Sequence, residues 1–357
     1  MDLQRFPIRA HWIEGAVSVQ TTQAPAPSSP AGNAGKNPPA GPDCVRPWRL
    51  PHEELDLFSK PLQNRAGAAA GVRLRVRTDA TALGLRRVPD PDEQGPRAVD
   101  LTIDNDLVRT EAFPANGEEV RFPRLPAGDK VVELWLPVQG ATRLTAILAP
   151  SEAKLEPAAD ARTRWVVYGS SITQCAAAHS PARTWPALAA RAADLHLTCL
   201  GFGGSCHLEP LVAQVVRRLP AGLVTLKCGI NIYGAGSLSP RTFRSALLGF
   251  LDIVREGHPD TPVVVVSPIL SPPREKTKNA VGFTLEDMRT ELREAVAAYA
   301  SVRSDATLHY VDGRELFGQD LAARCLPDDL HPNGDGYEAL GANVVERVLA
   351  PLGFART

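Results

Sequence analysis

Residues 261–268 read Thr-Pro-Val-Val-Val-Val-Ser-Pro, a valine run closed by proline at each end. β-Branched residues favour extended backbone, and a run without polar alternation marks a strand buried on both faces. RWVVYG (164–169), HLTCLGF (196–202), LVTLKCG (223–229) and TLHYVDG (307–313) have the same texture. Helical patterns lie between and after them. One runs to Leu195 with Ser180 as its cap and Pro181 in its first turn, and another spans 207–219. A third opens at Ser239-Pro240, a fourth at Thr284 with Asp287 completing a capping box, and a fifth covers 334–349. These are the start signals helices need. Strands alternating with helices predict a mostly parallel, doubly wound α/β sheet, with its site at the C-terminal ends of the strands.

Upstream the period changes from helical to two. GVRLRVRT (71–78), VDLTIDNDLV (99–108), EEVRFPRL (118–125), KVVELWLP (130–137) and TRLTAIL (142–148) each place apolar residues on one face. Asp104-Asn105-Asp106 and Pro126-Ala127-Gly128-Asp129 read as turns. Short strands and turns without a long helix predict a β-sandwich. The alternation puts Arg73, Arg75 and Arg77 on a solvated face, and Trp12, Trp48 and Trp135 read as core. Residues 21–43, rich in Ala, Pro, Gly and Ser, read as a flexible insertion between two neighbouring strands. The expected domains are therefore 1–155 (sandwich) and 160–357 (α/β), packed together across the short link at 151–160.

The 357 residues carry 39 basic and 40 acidic side chains, a formal charge of −1. That balance excludes a generic nucleic-acid binder, which needs a basic surface. No apolar run is long enough to span a membrane, and the first residues lack the apolar core of a signal peptide. The six cysteines (44, 175, 199, 206, 228, 325) are irregularly spaced and read as buried thiols of a cytoplasmic protein. Cys206-His207 has no second ligand pair at zinc spacing, so neither metal nor cofactor is expected.

Polar residues cluster just after the strands. Gly169-Ser170-Ser171 follows the first, where a serine can present its hydroxyl at the sheet edge. Gly201-Phe202-Gly203-Gly204-Ser205 follows the second; its glycines leave N–H groups accessible, and its spacing does not fit a dinucleotide fingerprint. Gly229-Ile230-Asn231 follows the third and offers a side-chain amide. Each alone reads equally as a tight turn. After the fifth come Asp328 and His331, spaced so that the carboxylate can fix the imidazole as the base of a nucleophilic serine. Asp329 is a rival, and the Asp-x-x-His spacing selects Asp328.

In this order, YGSSIT around Ser171, GFGGS around Gly204, KCGIN around Asn231 and PDDLHPN around Asp328 and His331 resemble the four blocks of the SGNH (GDSL-type) hydrolases. The likeness covers about residues 160–352. HWIEGAV, RPWRLP, LPAGDKVVELWLP and SPPREKTKNAVGFTLEDMR further resemble a bacterial two-domain subgroup with an N-terminal β-sandwich. The resemblance implies a flavodoxin-like three-layer domain preceded by a jelly-roll-like sandwich. It also implies Ser171 as nucleophile, His331 as base and then acid, and Asp328 as its orienter. The Ser171 and Gly204 N–H groups and the Asn231 amide would form the oxyanion hole. Two positions depart from the family: Ser170 stands where Gly-Asp-Ser has aspartate, and Ile232 where Gly-x-Asn-Asp has aspartate.

The expected activity is that of a serine esterase on a small-molecule ester or acylated metabolite, through an acyl-enzyme. Transfer of the acyl group to an alcohol is the alternative. The long 271–283 loop suggests Arg274 and Asn279 as substrate contacts. Two rivals stand apart: a carbohydrate-binding protein with an inactive hydrolase domain, and a thiol enzyme using Cys175 or Cys206.

Overall fold

The computed structural model describes residues 3–23, 43–90, 93, 95 and 97–354. Most of the Pro/Ala/Gly-rich insertion, 24–42, lies outside the described residues. Its flanks, Ser18–Gln23 and Asp43–Trp48, are antiparallel neighbours.

Five parallel strands form the C-terminal sheet: β1 (Thr163–Gly169), β2 (Leu195–Gly201), β3 (Leu223–Lys227), β4 (Val263–Val266) and β5 (Leu308–Val311). Their order is β2-β1-β3-β4-β5, the doubly wound order in which the chain first turns one way and then reverses. Right-handed crossovers then put Trp185–Ala192 on one face, and Pro210–Arg218 and Pro240–Gly257 on the other. The contacts agree: Trp185–Ala192 packs against Gly334–Val344, and Pro240–Gly257 packs against both Pro210–Arg218 and Leu285–Arg303. The register aligns the strand ends. Gly169 pairs with Gly201 and Lys227, and Val266 pairs with Lys227 and Val311. The segments that follow therefore leave the sheet along one edge.

Two antiparallel six-stranded sheets make the N-terminal part. Leu74, Val76 and Leu134 of one sheet and Leu85, Phe122 and Ile147 of the other share one core, as a sandwich requires. The hairpin turn expected over Asp104-Asn105-Asp106 is made by Asp104 and Asn105, both with positive φ, and Asp106 opens the next strand. Trp12, Trp48 and Trp135 are buried. No helix of the described residues is long and apolar enough to cross a membrane.

The two parts are packed as one body. Trp48, Leu50, Phe58, Leu62 and Trp135 belong to the same apolar cluster as the α/β core. Gly71 (φ 76°) lies so close to β2 that a Cβ there would sit 2.6 Å from the Cys199 Cβ. Asp100 of the sandwich accepts the Ala182 N–H at 2.6 Å.

Two expectations need correction, and two elements add to those expected. Arg73 and Arg75 do not face solvent: Arg73 is fully buried, and with Arg75 and Arg162 it meets Glu14 and Glu133 at the domain junction. The face that alternation assigns to water is here covered by the second domain; only Arg77 is exposed. The helix expected from Ser180 begins at Trp185, capped by the Thr184 hydroxyl, because a short 3₁₀ turn (Pro181–Arg183) intervenes. Helix Lys60–Ala66 and strand Ala82–Arg87 are additional elements.

Candidate active site

Ser171 opens a single helical turn, Ser171–Gln174, directly after β1. The Ser171 N–H has no partner among the described residues, and the Ser170 hydroxyl caps the turn by accepting the Ile172 N–H. This is the work that falls to serine where the family pattern has aspartate. Ser171 Oγ lies 2.9 Å from His331 Nε2. His331 Nδ1 lies 2.7 Å from Asp328 Oδ2. Since Nδ1 faces a carboxylate it carries the proton, and Nε2 is left to accept from the serine.

Asp328 and His331 occupy the loop 326–333, closed by the Asn333 N–H on the Cys325 carbonyl. Asp328 Oδ1 accepts the N–H groups of His331 (2.6 Å) and Leu330 (3.0 Å). Partial burial works to raise the Asp328 carboxyl, but these N–H groups and the imidazole outweigh it and hold it below the ordinary aspartate value. Asp329 takes a left-handed conformation (φ 56°); its N–H donates to the Leu326 carbonyl, and its own carbonyl accepts from Ser271 Oγ (2.6 Å) and Arg274 Nη1 (2.9 Å). The structure thus brings Asp328, not Asp329, to the histidine.

The 201–205 loop lies beside Ser171. Gly204 is exposed, has φ 71°, and its N–H has no partner among the described residues. Its carbonyl takes a hydrogen bond from His207 Nε2 at 3.0 Å. The Gly203 N–H donates to Gln174 Oε1 (3.0 Å), and Gln174 Nε2 donates to the Val138 carbonyl of the sandwich (3.2 Å). Asn231, in the first turn after β3, accepts the Cys206 N–H on Oδ1 at 3.1 Å. That contact fixes the amide, so Nδ2 points away with no partner among the described residues.

Arg274 and Asn279 are placed differently from the expectation. Arg274 bonds Ser271 Oγ and the Asp329 carbonyl, so it braces the Asp328–His331 loop. Asn279 braces its loop, accepting from the Val281 and Phe283 N–H groups and donating across to the Tyr233 carbonyl. Reasoning from sequence missed Gln174, Ser271, Arg49 and Arg65; their contacts with the site have no local pattern to betray them.

A cleft of about 490 Å³ opens over Ser171 and His331, lined also by Tyr337, Pro327 and Gln139. Through Gln139 and Ala176 it borders a second depression of about 380 Å³ that reaches Arg97 of the sandwich and His179. Cys175 and Cys206 are buried, and burial pushes both thiols well above the usual range, opposite to what a thiolate nucleophile needs. Glu14, Asp160 and His196 lie close enough to hold a metal, but Arg73 and Arg162 already pair with these carboxylates.

Ser171, His331 and Asp328, joined by hydrogen bonds at the strand ends of a doubly wound sheet, form the kind of site that hydrolases of this fold carry. Residues 162–350 match the GDSL-like lipase/acylhydrolase family, and residues 40–143 match the SsfX3 N-terminal domain. The chain belongs to the GDSL-like lipase/acylhydrolase family. Over 98% of both chains it is similar, at 33% identity and a TM-score of 0.83, to the salicylyl-acyltransferase SsfX3 from a tetracycline biosynthetic pathway. A putative GDSL-like lipase from Bacteroides ovatus shares the fold at 20% identity, with 85% of this chain and 91% of that chain covered (TM-score 0.72). So does a family two carbohydrate esterase from Clostridium thermocellum, at 16% identity over 80% and 94% of the chains (TM-score 0.62). No curated protein sequence matches the chain.

Proposed function

We propose that the protein is a serine esterase that cleaves O-acyl esters of small molecules through an acyl-enzyme on Ser171. The observation that carries this is the unbroken chain from Ser171 Oγ to His331 (2.9 Å) and from His331 to Asp328 (2.7 Å). His331 Nε2 takes the hydroxyl proton as Ser171 Oγ bonds the ester carbonyl carbon. Asp328 stabilises the imidazolium through Nδ1–H. The oxyanion accepts from the Ser171 and Gly204 N–H groups and from Asn231 Nδ2, each donor contributing on the order of 3 kcal/mol. The intermediate collapses, the C–O bond to the leaving alcohol breaks, and the alcohol leaves with the proton from His331. A second molecule then attacks the acyl-enzyme by the same steps in reverse. The catalytic unit is residues 160–357 and the sandwich 1–155. Six free, buried thiols suit a reducing compartment, and we place the reaction in the cytoplasm.

A second reading is favoured by the full-length similarity to an acyltransferase: an alcohol, not water, resolves the acyl-enzyme. The cleft that continues from Ser171 toward the sandwich gives such an acceptor room. Pre-steady-state hydrolysis of a p-nitrophenyl acyl ester tests both. An initial burst equal to the enzyme concentration, absent in Ser171→Ala, is expected. Faster turnover with a new ester product on adding alcohols selects transfer. Absence of both burst and turnover on such esters contradicts the proposal.

A further inference from the structure

Gly203 and Gly204 are joined by one planar peptide group, so the direction of the Gly203 carbonyl fixes the direction of the Gly204 N–H. The N–H end belongs to the exposed Gly204 and has no partner among the described residues. The carbonyl end is held from the other domain: Arg65 Nε of helix Lys60–Ala66 donates to Gly203 O at 3.0 Å. This is a charge-assisted hydrogen bond. Drawing electron density toward the carbonyl oxygen of a peptide makes its N–H a stronger donor, the cooperative effect of hydrogen-bond chains. The arrangement sits beside the nucleophile. A Cβ placed on Gly203 would lie 3.4 Å from Ser171 Cβ and 3.6 Å from Arg65 Nε, so the two side chains flank the same small space.

Arg65 is itself held in register with the loop. Its carbonyl accepts from Nη2 of Arg49, whose Nε donates to the Ala68 carbonyl (2.7 Å). Arg49 Nη1 crosses the domain boundary to the carbonyls of Gly201 (2.5 Å) and Cys199 (3.3 Å) at the end of β2. Arg49 is fully buried, and all the partners named are carbonyls. Two arginines of the N-terminal domain, sixteen residues apart, thus grip the glycine loop at its root, Gly201, and at Gly203.

We propose that Arg65, carried by the sandwich domain, is a positioning residue for the oxyanion hole: it orients and polarises the Gly203–Gly204 peptide so that the Gly204 N–H meets the developing oxyanion. This rests on the acyl-enzyme reading above. It gives the sandwich a part in the chemistry without a contact to the reacting atoms.

Full-length Arg65→Met and Arg65→Lys test it, with an uncharged p-nitrophenyl ester as substrate and a trifluoromethyl ketone of the same acyl group as inhibitor. The ketone forms a hemiketal oxyanion on serine and so reads the hole directly. For Arg65→Met, kcat is expected to fall roughly tenfold to a hundredfold, less than the loss of a whole donor. The ketone inhibition constant should rise by the same factor, with KM within about twofold and an unchanged pH profile. Arg65→Lys, which keeps a cationic donor, should fall between Arg65→Met and wild type. A kcat and ketone affinity within twofold of wild type in Arg65→Met overturn the inference. So does a rise in KM alone, which would make Arg65 a substrate contact. Mass-spectrometric labelling of Ser171 by a fluorophosphonate separates the two failures. No labelling of the wild type defeats the acyl-enzyme reading itself; normal labelling with an indifferent Arg65→Met defeats only the role of Arg65.

Discussion

The two halves of the site are built in opposite ways. Asp328 and His331 sit on a short loop near the C-terminus, and the Asp328 carboxyl is more than half exposed. Their geometry is made locally, by a carboxylate accepting N–H groups two and three residues ahead, with one brace from Ser271 and Arg274. The Gly203–Gly204 and Asn231 half rests on the ends of buried strands. It is held by side chains far away in sequence: Gln174, Arg49 and Arg65. In the mechanism proposed above, the half that moves a proton is set mainly by its own loop, whereas the half that receives charge is set from both domains. A proton relay needs only two short contacts in line. Stabilising an oxyanion needs dipoles that do not reorient when the charge appears, which is what a rigid, cross-domain scaffold supplies.

This contrast can be broken or sharpened by substitution. Ser171→Ala removes the atom both halves serve. Its kcat/KM should fall by roughly 10⁴-fold or more, with a near-unchanged melting temperature because the Ser170 cap remains. Asn231→Ala removes one donor; kcat should fall by about 10²–10³. It also strips the Cys206 N–H of its acceptor, so a stability loss of about 1–2 kcal/mol in denaturant unfolding is expected. Arg49→Met removes the guanidinium donor from the Ala68, Gly201 and Arg65 carbonyls, the last of which keeps the Ala68 N–H. A loss of about 3 kcal/mol in stability is expected, together with slower acylation. Burial lowers the Arg49 guanidinium only to about 10, so it is still charged at neutral pH and the substitution removes a cation.

Acid should act on the domain junction. At Glu133 and Asp160 burial raises the carboxyl, but Arg73 and Arg162 outweigh it at the first, and His196 and Arg162 at the second. Both are held below the ordinary range, so the native protein binds fewer protons than the unfolded chain in acid. Their stabilisation is complete above the unfolded values and should be lost progressively below about pH 4, followed by the thermal midpoint. The smallest effect belongs to the local half: Arg274→Ala removes one exposed brace of the Asp329 carbonyl while Ser271 keeps the other. That is worth about 1 kcal/mol at most, a few-fold in kcat. A larger loss in Arg274→Ala than in Arg65→Met would reverse the contrast.

The same division explains what the sequence made legible. All five strands of the α/β sheet fall on the stretches expected for them, the first two starting one residue earlier, because valine runs and capping residues are local signals. The carboxylate–imidazole pair is local too, and the structure brings it to Ser171. Arg49 reaches Gly201 across 152 residues and Arg65 reaches Gly203 across 138, and nothing in either segment announces those partners. The helix carrying Arg65 has just two buried apolar residues, Leu62 and Ala66, too few to show a period. Strand Ala82–Arg87 is masked by Gly84, which is needed because a Cβ there would lie 2.5 Å from the Val120 carbonyl. Arg73 and Arg75 misled for the reason that makes them informative: alternation reports which face is polar, and a second domain can cover a polar face whose cations are already paired with carboxylates of their own sheet.

The most direct test of the central claim is intact mass after exposure to a fluorophosphonate, for wild type and for Ser171→Ala. One adduct on the wild type, mapped to Ser171 and absent from the folded mutant, is expected, because His331 and Asp328 make that hydroxyl nucleophilic. A folded wild-type protein that takes up no adduct, or one labelled equally in Ser171→Ala, would contradict it.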